Sequence, residues 1–227
     1  MRRIALATLV CLSLFSACQP AARASDGPVK VEAALQSLRK TSGEDLAIAW
    51  NPETGTPSYI GGRLTRPSNH TPIWIAHSFV NRYRALFGIR DTNRELQVTG
   101  VEPYAEGAKV HLRHLLFRTP IWEDGLTVDL DRSGVVRSVS GTIHPDMEKK
   151  LRYRAAHPAY TERQAVRKAV EIASGEIAEE TPVAERYYLA SIAGTPLVYV
   201  VSVRLRNPER TETVVVHSAT GRVIEQR

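Results

Sequence analysis

LQVTGVEPYAEGAKVHLRHLLFRTPIWEDGLTVDLDRSGVVRSVSGTI, residues 96–143, decides the fold. Apolar and polar residues alternate through LQVTGVEP, AKVHLRHLLF, GLTVDLD and VVRSVSGTI. EDG and DRSG, between the later pieces, are turn formers. A period of two sends alternate side chains to opposite faces, so the stretch predicts an antiparallel meander with one face on a core.

Moving toward the N-terminus, the period lengthens. Ile75, Phe79, Tyr83 and Leu86 recur every three or four residues, with Val80 and Phe87 widening the stripe. Gly88 stands where a C-cap glycine belongs. Val31, Ala34, Leu35 and Leu38 give a second helical stripe. Between the two helices, LAIAW and Ser58–Leu64 read as strands joined by a Gly55-Thr56-Pro57 turn. Helices on one face of an antiparallel sheet are therefore expected for this half.

Toward the C-terminus, HPDMEKKLRYRAAHPAY has no period and reads as a linker. Thr161 and Gln164 then form a capping box before the stripe Ala165, Val166, Ala169, Val170, Ala173, which Gly175 closes. AERYYLA, PLVYVVSVRLR and TETVVVH follow as strands. One helix and a small antiparallel sheet make a second α+β unit. The fold class is thus α+β, with two small domains of helix packed on antiparallel sheet. The boundaries are 29–147 and 159–227, joined by a linker at 148–158.

The first residues are of another kind. Arg2 and Arg3 precede an uncharged apolar run, Ile4–Phe15, too short to span a bilayer comfortably. Ser16 and Ala17 then lead to Cys18, a pattern similar to a bacterial lipobox. Residues 1–17 are expected to be a lipoprotein-type signal peptide, 18–28 a polar tether, and Cys18 the lipidated residue. The chain would then be exported and lipid-anchored to the outer face of a bacterial membrane, or secreted if Cys18 is not acylated. The formal charge of +6 falls to +4 without residues 1–17, and no basic block remains, so nucleic acid is not an expected partner. Cys11 and Cys18 are the only cysteines, which excludes a thiol nucleophile or internal disulfide in the folded part.

Reactive constellations are missing from the sequence. There is no H-E-x-x-H, no G-x-S-x-G and no phosphate-binding glycine loop. His111 and His114, three apart on a strand, point to opposite faces and suit a surface or edge rather than a chelating pair. Asp129 and Asp131, with Asp124 in the preceding turn, read as a solvated hairpin end. Trp50, Trp74 and Trp122 read as core residues. No catalytic residue, metal or cofactor is expected.

One stretch carries a family likeness. Trp50-Asn51, Thr54-Gly55-Thr56-Pro57 and Gly62 follow W-N-x-x-T-G-T-P-x-x-x-x-G, which resembles the start of the fungalysin/thermolysin propeptide (FTP) domain. Leu86-Phe87-Gly88-Ile89, His111-Leu112-Arg113 and Pro120-Ile121-Trp122 come in the order of that family's helix end, central strand and hairpin. Residues 159–227 resemble a PepSY domain, the usual companion of FTP in pro-regions of thermolysin-like metallopeptidases. The likeness implies a non-catalytic protein that binds a secreted or envelope peptidase, thermolysin-like, in trans as inhibitor or folding assistant. It implies partner contacts at His111, Arg113, Pro120 and Trp122. The peptidase domain is not in the sequence, and His114–Thr119 replaces the family's F-Q-Q section. Two other readings are a truncated pro-region of a zinc metallopeptidase precursor, and an envelope adaptor that accepts extended peptides or wall components at a sheet edge.

Overall fold

The computed structural model describes residues 26–152, 156–178, 182–207 and 209–227. The segment read as a signal peptide, Cys18 and most of the expected tether lie outside the described residues. The elements are α1 (Asp26–Ser42), β1 (Ala47–Trp50), β2 (Pro57–Gly61), α2 (Pro72–Arg82), α3 (Thr92–Glu95), β3 (Leu96–Tyr104), β4 (Gly107–Leu116), β5 (Thr119–Asp131) and β6 (Val136–Thr142). Then come α4 (Met147–Lys150), α5 (Glu162–Ile172), β7 (Glu176–Ile177), β8 (Val183–Tyr188), β9 (Leu197–Asn207), β10 (Glu209–His217) and β11 (Val223–Gln226). The fold is α+β. Among the described residues no helix is long and apolar enough to cross a membrane.

The meander 96–143 forms as its alternation predicts. β3, β4, β5 and β6 pair antiparallel in sequence order, and β2 and β1 extend the sheet beyond β6. Val110, Leu112, Leu126, Val128, Leu130 and Val139 point to one face and are buried against α1 and α2. The helical stripes supply the other wall: Leu38 is fully buried, and the rings of Phe79 and Tyr83 pack 4.9 Å apart. Thr71 caps α2 by accepting the Trp74 N–H at 3.4 Å, with Pro72 in its first turn. Helical character runs on through a 3-10 turn, Arg84–Phe87, and ends at Gly88 in the left-handed region, φ 65°. A side chain there would also strike Pro145, 2.3 Å from an ideal Cβ, so glycine serves both the turn and the close approach.

In the second half, β8, β9, β10 and β11 pair antiparallel and β7 adds to β9. The Thr161–Gln164 capping box opens α5. Ala165 and Ala169, both fully buried, bring the helix close to Val201, Val203 and Leu205 of β9 and Val214 and Val216 of β10. Val170 is exposed, so the buried stripe is narrower than the sequence suggests. Gly175 does not close the helix. Ala173 leaves it in an extended conformation, and Gly175 lies under Leu205 and Asn207 instead.

The two halves meet through β5. Its Gly125–Leu130 segment pairs with β6, whereas Ile121 on the same edge pairs in parallel with Tyr188 of β8. One small core, Leu116, Ile121, Met147, Tyr188 and Leu197, fills the joint. Met147 belongs to α4, at the head of the segment predicted as a linker. Further along, the Ala156 N–H donates to Tyr188 Oη at 2.9 Å.

Two expectations are corrected here. EDG, residues 123–125, is not a turn; it lies inside β5, which runs from Thr119 to Asp131. The reversal comes earlier, at Phe117-Arg118, and only DRSG turns as predicted, around Gly134. Nor are the tryptophans core residues. Trp50 and Trp74 are 44% and 52% exposed, and Trp122 is half-buried where the halves meet. Trp74 sits one place off the Ile75–Phe79 stripe, and Trp50 ends an edge strand.

Candidate functional site

β4 and β5 do not pair evenly. Arg113 faces Gly125, but the next pair is Leu115 with Pro120, so Ile121–Asp124 bulge out opposite the single residue His114. Glu123 takes a positive φ of 60° within this bulge. The hairpin beyond it turns at Phe117 and Arg118, both left-handed at φ 51° and 65°, between the paired Leu116 and Thr119. That geometry costs an L residue roughly 1–2 kcal/mol. Packing holds it: the Phe117 ring meets Tyr188 edge-on at 6.4 Å, in the joint between the halves.

Each bulge residue has its own place. Ile121 joins β8. Trp122 packs edge-on against Tyr187, with centroids 4.9 Å apart at 76°, beside Val198, Val200 and Val215. Glu123 accepts from Arg227 Nη1 at 2.6 Å. Asp124 turns inward and is almost wholly buried.

Asp124 is held by two histidines. His114 Nδ1 lies 3.0 Å from Oδ2, and His144 Nδ1 lies 2.7 Å from Oδ1. The His144 backbone N–H also donates to Oδ2 at 2.8 Å. Burial pushes the Asp124 carboxyl up. The hydrogen bonds from both rings and the His144 N–H more than reverse this, leaving its pKa below the ordinary carboxylate value. An ionised Asp124 requires a proton on both Nδ1 atoms. His114 is therefore a buried structural residue, not a surface one, and Asp124 is not part of a solvated hairpin end. Of the other two acids, Asp129 accepts the Tyr104 hydroxyl at 2.7 Å. Asp131 organises the DRSG turn through Ser133 and Val135; burial pushes its carboxyl up, but the bonds from Ser133, Val135 and Arg137 together more than reverse this and hold its pKa at about 2.

Outside this pinned bulge, a groove of about 480 Å³ opens at the boundary of the halves. His111, Arg113 and Trp122 line it together with Thr127 and Tyr187. Pro120 does not, because it faces Leu115 within the hairpin. The Arg113 guanidinium stands 5.9 Å from the Tyr187 ring centroid. Tyr187 donates its hydroxyl to Glu185 at 2.6 Å, and burial together with that bond pushes its pKa up to about 12. His111 pairs with Thr127 Oγ1 at 3.2 Å and faces Glu102 at 3.5 Å, so both ring nitrogens have neighbours. Trp122 Nε1 is buried with no hydrogen-bond partner among the described residues. His111 and His114 do lie on opposite faces of β4, as their spacing predicts.

No protein-family model matches the chain. Among solved structures it is similar to the Bacillus megaterium YpeB C-terminal domain, at 13% identity and a TM-score of 0.40, over 88% of this chain and 96% of that one.

The groove presents the Arg113 guanidinium, the Trp122 and Tyr187 rings, the Glu123 carboxylate and the Thr127 hydroxyl beside His111. Among the described residues no group of three or more His, Cys, Asp or Glu is placed to hold a metal ion. Tyr187 and His144 are the residues that sequence reasoning misses, and Asp124 is the one it misplaces, at a solvated hairpin end instead of between two histidines. For the partner of Asp124 a signal exists: His114 shares strand parity with Val110, Leu112 and Leu116, which are all buried.

Proposed function

We propose that the chain is a non-catalytic binding module of the bacterial envelope, built from an FTP-like domain (29–147) and a PepSY-like domain (159–227). On this reading Cys18 carries a lipid, and the groove between the domains engages a secreted, thermolysin-like peptidase in trans, as inhibitor or folding assistant. Arg113, Trp122 and Tyr187 form the recognition surface, with His111 at its edge and Pro120 acting only through the hairpin.

The observation that carries the reading is the grouping of Trp122, Tyr187 and Arg113 in one groove, with Trp122 Nε1 buried and unpaired among the described residues. A buried donor without a partner costs about 1–3 kcal/mol, and a bound peptide that draws the ring outward would bring Nε1–H to a carbonyl and remove that cost. Aromatic and arginine side chains are the usual centres of protein–protein binding energy. Inhibition or folding assistance needs such a surface and no reactive group.

The test mixes the purified protein with a thermolysin-like protease from the same organism, scoring activity, refolding yield and complex formation. Complex formation with slowed proteolysis or improved refolding, lost in Arg113→Ala, is the expected result. Unchanged activity, unchanged refolding and no complex would overturn the proposal. Intact mass of the N-terminus tests the anchor separately, since a lipid-sized increment on Cys18 is required.

A further inference from the structure

A second recess lies away from this groove, between α2, the end of α1 and the segment after β2. Its volume is about 380 Å³. Leu64, Ile75 and Phe79 form an apolar wall, and Trp74, more than half exposed, stands at its side. Arg66 and Arg82 line it, and no aspartate or glutamate does.

The polar groups here are donors in excess. Thr65 Oγ1 accepts the Val136 N–H at 2.9 Å, and Ser68 Oγ accepts the His70 N–H at 3.3 Å. Each hydroxyl therefore still has a proton to donate. Among the described residues Arg82 reaches only the neutral Ser37 hydroxyl, at 3.5 Å, and the face of Tyr83, at 5.5 Å. Arg66 makes no ion pair among the described residues. Two uncompensated guanidinium groups and two free hydroxyl protons around an apolar wall suit one ligand chemistry.

We propose that this recess binds an organic carboxylate with an apolar body. Arg66 and Arg82 hold the carboxylate, Thr65 and Ser68 complete its hydrogen bonds, and the body lies on Phe79 and Trp74. Such a carboxylate comes either from a free acid or from the C-terminus of a peptide ending in an apolar residue. The inference stands apart from the peptidase reading, because it uses neither the groove nor its residues.

The experiment is a titration of the purified protein followed by the indole N–H signal of Trp74, assigned with Trp74→Phe. The probes are octanoate, N-acetyl-phenylalanine and N-acetyl-phenylalaninamide. For ligands of this size a dissociation constant on the order of 1 mM is expected for an acid. The neutral amide should bind roughly tenfold more weakly, and Arg66→Gln should weaken the acid by a similar factor. Octanoate binding identifies the free acid as the source, and binding of N-acetyl-phenylalanine alone identifies the peptide terminus. Arg82→Gln should repeat the loss, and since both arginines are exposed neither variant should disturb the fold. Equal affinity for acid and amide, an Arg66→Gln variant that binds as the wild type does, or no shift with any probe at about ten times that concentration would overturn the proposal.

Discussion

His144 holds Asp124 twice, with its ring Nδ1 2.7 Å from one carboxylate oxygen and its backbone N–H donating to the other at 2.8 Å. This double grip ties the segment after β6 to the bulge in β5, and His114 closes the cluster from β4. The bulge carries Ile121 and Trp122 across to the second sheet, so one buried carboxylate positions the seam between the halves. Asp124→Asn preserves the shape but turns an N–H₂ group toward a ring N–H. A loss of about 3 kcal/mol is expected in urea unfolding. The depressed pKa of Asp124 sets the sign with pH: its stabilisation is present above the ordinary carboxylate value and is lost as pH falls below it. An Asp124→Asn variant should thus close the stability gap to wild type in acid, and a gap that stays constant with pH would contradict this account.

The hairpin turn gives two substitutions of opposite sign. Arg118 is exposed and left-handed, so Arg118→Gly relieves backbone strain at the entropic cost of glycine, for a net gain of about 0.5 kcal/mol. Phe117 has the same backbone strain but packs on Tyr188, so Phe117→Ala should lose about 2–3 kcal/mol. Thermal unfolding of both variants, side by side, separates strain from packing. Equal effects at the two positions would contradict the assignment.

Glu212 secures the second half in a similar way. The Ser174 hydroxyl donates to it at 2.5 Å, and Arg210, Gln226 and the Ser174 N–H also reach it. The Ser174 bond leads the other hydrogen bonds in lowering its pKa from 4.5 to about 2, against the opposing effect of burial. A depressed carboxylate stabilises fully above its unfolded value. Its contribution should therefore fade between pH 4.5 and about 2. Glu212→Gln should lower the urea midpoint at neutral pH and differ little from wild type near the bottom of that window. A variant as stable as wild type at neutral pH would remove Glu212 from the account.

Periodicity carried the fold, and its exceptions mark the site. The alternation through 96–143 gives β3 to β6 because each strand has one face on a single core. The bulge is invisible to that reading, since Pro120-Ile121-Trp122 looks like strand and Glu123-Asp124-Gly125 looks like turn. In the structure the same polar residues stay within one strand, because two distant histidines satisfy Asp124. The true turn at Phe117-Arg118 has no glycine or asparagine to announce it, and its conformation is imposed by contact with Tyr188. Tyr187 enters the groove from a strand remote in sequence, so no local pattern could pair it with Trp122.

Trp122 can separate the stability of the joint from its use in binding. Its ring fills space against Tyr187 and beside Val198, while its Nε1 is buried without a partner among the described residues. Trp122→Ala empties that space and should cost about 3–5 kcal/mol. Trp122→Phe loses some packing but also removes the orphaned donor, worth about 1–3 kcal/mol, so its stability should stay close to wild type. If binding draws the ring outward so that Nε1–H meets a carbonyl of the bound polypeptide, Trp122→Phe should weaken that complex roughly tenfold while leaving the urea midpoint nearly unmoved. Stability and complex formation measured on the same sample decide the matter. Full affinity in Trp122→Phe would assign the residue to the joint alone and move the recognition surface to Arg113 and Tyr187.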